Sequence, residues 1–191
     1  MLHSMHQVDM EALTRMAQPD RSDVLSSAAA GDEIAFQRLI AEYHDDVRRV
    51  CSYVTRDIAV AEEATQAAWS IAWKKIGTVR DPERLRSWLV SVAVNEAKQL
   101  LRKQRRRAEI EVPVDASGEP GGVDPATGVA AIDLRRALDH LDPDDRALLA
   151  MRYVAGFDSN ELAAAIGISP SGTRNRLERL LKRLREDLSD G

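Results

Sequence analysis

Ser171, Thr173, Arg174, Asn175, Arg176 and Arg179 follow closely on a Ser169-Pro170 pair. Serine before proline marks a helix start, because the side-chain oxygen caps free N–H groups and proline fits the first helical position. The six residues therefore sit on the opening turns of one helix. Their chemistry is contact with a polyanion and its base edges: arginine pairs with guanine, asparagine with adenine, and hydroxyls with either or with phosphate. The positive end of the helix adds attraction for phosphate. Residues 170–185 carry six Lys/Arg and a single Glu, where a surface built for solubility would mix the two signs.

A second cationic run is Arg102, Lys103, Arg105, Arg106 and Arg107, at the end of a long apolar-periodic stretch. One or two positive residues suit the negative end of a helix. Five exceed that need and call for an anion. Residues 79–107 hold nine Lys/Arg against three Asp/Glu, although the whole 191-residue chain has a net charge of −4. The acids lie elsewhere, so the average charge conceals two basic faces.

Both runs need helices to position them. Aromatic residues make up only 4% of the chain, and Ala, Leu, Arg and Asp dominate. Strong helix formers are abundant and β-branched runs scarce, so the expected fold class is all-α. Apolar spacing predicts helices over 23–30, 32–54, 58–76, 82–106, 129–140, 143–155, 159–166 and 170–188. On these, Ile34, Phe36, Trp69, Trp73, Ile132, Leu134, Tyr153 and Val154 are expected to face inward. The segment from Asp158 fits a capping box with Glu161. The helix it opens is followed by Gly167, by Ile168 (expected to plug the angle between helices), and by the cationic helix with its leucine stripe. That is a helix-turn-helix. Residues 108–128 hold three prolines and four glycines and are expected to form a flexible linker. The expected organisation is a leader over 1–20, a helical domain over 21–107, the linker, and a helical domain over 129–191.

The single cysteine, Cys51, permits no internal disulfide and reads as a small buried hydrophobe. No window approaches a membrane span, and the leader lacks an apolar signal core, so a cytoplasmic location is expected. No catalytic residue, metal ligand or cofactor is expected. His44 with Glu42, Asp45 and Asp46 lacks a second histidine at ligand spacing, and no Gly-rich phosphate loop or nucleophile elbow is present.

The stretch from Leu141 to Leu188, LDPDDRALLAMRYVAGFDSNELAAAIGISPSGTRNRLERLLKRLREDL, resembles region 4 of the extracytoplasmic-function RNA polymerase sigma factors. Arg176 and Leu177 match the family, whereas Thr173, Arg174 and Asn175 stand where Val, Lys and Ser are common. The N-terminal half is similar to region 2. AEEATQAAWSIAWKKI resembles subregion 2.2, with Ala67 in place of the usual acid, and RLRSWLVSVAVNEAKQLLRKQRRR resembles subregions 2.3 and 2.4. The resemblance implies a protein that binds core RNA polymerase and both recognises and melts promoter DNA. Under it Glu62, Glu63 and Gln66 would dock on the polymerase. Asn95 lies at the base-capture position of the minus-ten element, and Arg102, Lys103, Arg105 and Arg106 would hold the opened strand. The helix-turn-helix would read the minus-thirty-five element. The resemblance also implies an anti-sigma factor as a potential partner.

Two other readings compete. A stand-alone helix-turn-helix regulator would bind duplex DNA without polymerase, but the N-terminal half shows no strand alternation for a receiver sheet. An enzyme lacks every expected motif. Trp88, in phase with Leu85, Leu89 and Val92, reads as core in preference to a base-stacking wedge.

Overall fold

The structure, a computed structural model, describes residues 20–110 and 129–189. All but Asp20 of the expected leader, and the linker beyond Ile110, lie outside the described residues, as does the side chain of Ile132. Eight helices follow in order: α1 Arg21–Ala29, α2 Glu33–Thr55, α3 Ile58–Lys75, α4 Leu85–Ile110, α5 Val129–His140, α6 Pro143–Leu149, α7 Ser159–Ile166 and α8 Pro170–Ser189. No strand occurs among the described residues.

Aspartates set most of the starts. Asp32 accepts hydrogen bonds from the backbone N–H groups of Ile34 and Ala35, and Asp57 accepts one from Val60. Asp81 precedes Pro82 and accepts from Glu83 N, so a short 3-10 turn over Pro82–Arg84 leads into α4. Each bond satisfies a donor that the first turn of a helix leaves free.

The helices α2, α3 and α4 pack as a bundle with α1 laid against α2 and the α3–α4 connection. The facing surfaces are small: Ala61, Ala64, Ala68 and Ala72 on α3, and Ala93 and Ala97 on α4. Alanine lets the helix axes approach closely, and Val47, Val50, Cys51, Val54 and Val90 fill what remains. Cys51 is buried as expected, and burial pushes its thiol up to about 11. Trp69 is buried edge-on to Phe36. Trp73, expected inward, is 38% exposed and covers Phe36 from outside, with ring centroids 4.9 Å apart. Ile34, also expected inward, is exposed at the open end of α2.

The C-terminal helices close around Leu148, Met151, Phe157, Leu162, Leu180 and Leu184. The predicted helix over 143–155 is corrected in its second half. Ala150–Val154 is a π turn, in which Ala155 N bonds Ala150 O, and Phe157 N then bonds Met151 O. The widened turn alters the helical phase. Tyr153, expected inward, is consequently 60% exposed, and Phe157 occupies the core instead. Leu134 is likewise exposed rather than buried. Ile168 is also exposed and lies over Gly172 rather than plugging the inter-helix angle.

The two helical units touch. Arg146 on α6 donates to Val54 O at the end of α2 (2.8 Å) and to Leu141 O (2.8 Å). Arg56 pairs with Asp139 at 2.7 Å, and Lys98 on α4 pairs with Asp144 on α6. Arg86 bridges Asp46 on α2 and the carbonyl of Ala155.

Candidate nucleic-acid interface

The helix-turn-helix is α7 and α8. Asp158 caps α7 by accepting from the N–H groups of Asn160 and Glu161, while Glu161 Oε2 accepts from Asp158 N at 2.9 Å, completing the predicted capping box. Gly167 ends α7 with φ +74°, a conformation that an L side chain resists. Ser169 Oγ then accepts from Gly172 N at 3.1 Å, starting α8. The positive end of α8 thus opens onto solvent beside Ser169 and Ser171.

Along α8 the side chains divide by phase. Leu180 and Leu184 are buried, and Leu177 is half-buried. Ser171, Arg174, Asn175, Arg179, Lys182, Arg183 and Arg185 are exposed, Arg183 with one guanidinium nitrogen turned to Asp145. Thr173 requires a correction: it is 1% exposed, and its hydroxyl donates to Ser169 O at 3.1 Å. The threonine locks the first turn of α8 and presents nothing outward in this conformation. Arg176 is also not a free reader. Its Nε and Nη2 donate to Asp145 Oδ1 at 3.2 and 2.8 Å. Arg183 Nη2 donates to the other oxygen, Asp145 Oδ2, at 2.7 Å. Asp145, on α6, is 4% exposed. The sequence carried a signal for this carboxylate, which shares the inward phase of Leu148 and Leu149, where an acid requires a cation.

The second surface lies on α4. Arg102, Lys103, Arg105, Arg106 and Arg107 are exposed on its last turns. Asn95 is exposed about two turns earlier and faces α7 across a groove. That groove holds about 910 Å³, with Trp88 and Ser91 on its α4 wall, Asn160 and Glu161 on its α7 wall, and Arg80 and Arg84 at one end. Trp88 is half-buried, packing on the core with one face and lining the groove with the other. A smaller cavity of about 310 Å³ adjoins it and brings Asn95 and Lys98 together with Asp144 and Arg176. Lys98 was not singled out by the sequence. Its hydrogen bond is the main reason that the Asp144 carboxyl sits below the usual carboxylate range; nearby positive charges help and partial burial opposes.

On α3, Glu62, Glu63 and Gln66 are exposed on one side, with no ion pair to the two glutamates among the described residues. Ala67 is half-buried. Among the described residues no cluster of His, Cys, Asp or Glu could hold a metal ion, and no helix is long and apolar enough to cross a membrane.

A helical bundle ending in a cationic helix, packed against a helix-turn-helix with a second cationic helix, presents two positive helical surfaces. The sequence matches the family description Sigma-70 region 2 over residues 39–107 and Sigma-70, region 4 over residues 131–184. It is 30% identical over 164 residues to the RNA polymerase sigma factor CarQ of Myxococcus xanthus, covering 84% of this chain and 92% of that one. It is 30% identical over 172 residues to the ECF RNA polymerase sigma factor SigL of Mycobacterium tuberculosis, covering 86% and 95%. A probable RNA polymerase sigma factor, RfaY of Xanthomonas campestris, is 29% identical over 174 residues; this chain spans 43% of that longer protein. Among solved structures, the sigma factor RpoE of Bartonella quintana, in complex with the anti-sigma factor NepR, superposes with a TM-score of 0.68 at 22% identity, covering 81% of this chain and 96% of that one. CnrH, in complex with the cytosolic domain of CnrY, gives 0.60 at 22% identity, covering 90% and 96%. These two likenesses concern the fold. The chain belongs to the sigma-70 family, in its extracytoplasmic-function group. Sigma factors direct core RNA polymerase to promoters, and the stand-alone regulator reading gives way to that function.

Proposed function

We propose that this chain docks on core RNA polymerase through Glu62, Glu63 and Gln66, reads the minus-thirty-five element with α8, and opens the minus-ten element with α4. On α8 the outward set is Ser171, Arg174, Asn175 and Arg179, with Arg176 reaching DNA only by the edge of its guanidinium that Asp145 leaves free. On α4, Asn95 takes a base edge while Arg102, Lys103, Arg105 and Arg106 hold the phosphates of the separated strand. Unstacking a base costs a few kcal/mol, and contacts to the opened strand must supply it. The observation that carries this reading is the exposure of both cationic runs, each on the same helix as an amide able to read a base. The protein contributes no catalytic residue, metal or cofactor, and works in the cytoplasm where polymerase is. The proposal extends to a protein partner of the anti-sigma class, such as the Bartonella quintana relative was solved with.

Run-off transcription with core polymerase tests the whole. Initiation at discrete sites only when this chain is added supports it. Duplex binding by the chain alone, with no effect on polymerase, would overturn it.

A further inference from the structure

Six cations lie on α8, and the structure places them in two classes. Arg176 and Arg183 are seven residues apart, so they share a face, and that face is the one on which Leu180 and Leu184 are buried. Both therefore point toward α6, where Asp145 accepts Arg176 on Oδ1 and Arg183 on Oδ2. Both oxygens of a nearly buried carboxylate are thereby occupied. Arg174, Arg179, Lys182 and Arg185 point away from α6; Lys182 has only a long pairing to Glu186 at 3.7 Å, and Arg179 donates only to a backbone carbonyl.

We infer that Asp145 is a specificity-determining residue of the promoter-reading helix: it holds Arg176 and Arg183, offsets one of their two positive charges, and so limits how strongly α8 grips DNA of any sequence. The inference rests on the proposed reading of α8. Phosphate binding draws its free energy from counterions released by the cations that meet the DNA, and this term carries no sequence information. An arginine already matched by a carboxylate holds few counterions to release. Turning either arginine to a phosphate would strip one oxygen of a nearly buried carboxylate of its partner, and turning both would leave it unpaired, which a protein interior resists strongly. One unit of positive charge is thus withheld from the non-specific term and both arginines are held in place, while Arg174 and Asn175 remain available to read bases. Asp145 acts through the arginines and touches no DNA itself.

The test uses the full chain assembled with core polymerase. Binding is measured over a salt series on a random-sequence duplex and on duplexes that the wild-type holoenzyme selects from a random pool. Asp145→Asn frees both arginines. On random duplex, the slope of log affinity against log salt is expected to steepen by about one to two units, and the ratio of selected to random affinity to fall. A merely structural role would lower both affinities with the slope unchanged, and that result overturns the inference. Should Asp145→Asn fail to fold, the exposed arm carries the test. Arg183→Gln is expected to leave the slope alone, whereas Arg174→Gln lowers it by about one unit. Equal losses in these two variants overturn the inference. A wild-type holoenzyme that selects no sequence overturns the reading of α8 and this inference with it. A selective wild type with an unchanged Asp145→Asn slope overturns the inference alone.

Discussion

Under the proposed function, Asn95 and the arginines that follow it would separate two jobs that a single basic surface could confuse. Asn95 is neutral and sits where the groove meets the small cavity, whereas Arg102, Lys103 and Arg106 lie beyond it on open helix. Replacing Arg102, Lys103, Arg105 and Arg106 with alanine is expected to reduce promoter opening, followed by permanganate reactivity of unpaired thymines, more than it reduces binding of closed duplex. Equal loss in both measurements would contradict the assignment to the opened strand. Cys51 offers a cleaner single-residue check. Burial favours its neutral thiol and pushes it up to about 11, above the usual thiol value near ~8.5. Its protonation therefore costs the fold nothing at neutral pH, and stability is lost only as pH rises from the unfolded value toward the folded one. At a mildly alkaline pH, just below the usual thiol value, the native protein is expected to react with a disulfide reagent only at the rate of unfolding, and denaturant should restore fast labelling. Rapid reaction of the native chain would mean that the bundle opens there.

Among the elements, α7 is short and depends strongly on its ends. It has eight residues, too few for a stable helix in isolation, so its caps and packing must hold it. Asp158→Ala removes the oxygen that accepts two backbone donors and leaves only the Glu161 half of the box, the bond from the backbone N–H of residue 158. A loss of about 1 kcal/mol in unfolding free energy is expected from denaturant titration. Gly167→Ala meets no atom within 4 Å, so its cost is backbone strain alone at φ +74°. That cost is expected to be about 1–2 kcal/mol in the same titration, and a change near zero would show that the turn relaxes freely. The π turn after α6 is the element that apolar spacing described least well. A regular helix would bury Tyr153, but the extra residue in the turn passes the core position to Phe157.

At the scale of the molecule, the two units are held by groups that mix charge with backbone. Arg146 and Arg86 donate to carbonyls at helix ends, and Arg56 and Lys98 meet Asp139 and Asp144. The hydrogen bond from Lys98 is the first cause of the low Asp144 value. A carboxylate whose folded pKa is depressed contributes stability that is present above its unfolded value, near ~4, and lost as pH falls through the folded one. The thermal midpoint of Asp144→Asn is therefore expected to fall less steeply than that of wild type as pH drops below that unfolded value. Parallel curves would show that the pair contributes nothing measurable, which is common for exposed ion pairs.

The sequence alone determined the starts of the capped helices and the stop at Gly167, because caps such as Asp158 with Glu161 act within a single helical turn, whereas the end of the helix from Pro143 was not legible. It also determined that two helices carry surplus cations, since surplus is a matter of counting along one face. Which of those cations meet a buried carboxylate was decided only by tertiary structure. Asp145 lies 31 residues from Arg176 and 38 from Arg183, and helical period tells which side of α8 an arginine takes but not which acid waits there. Thr173 is a parallel case, since only the closeness of α8 to its neighbours decides that its hydroxyl is buried. Local rules write the elements; the assignment of charge to solvent or to a buried partner waits on contacts between segments that sequence distance keeps apart.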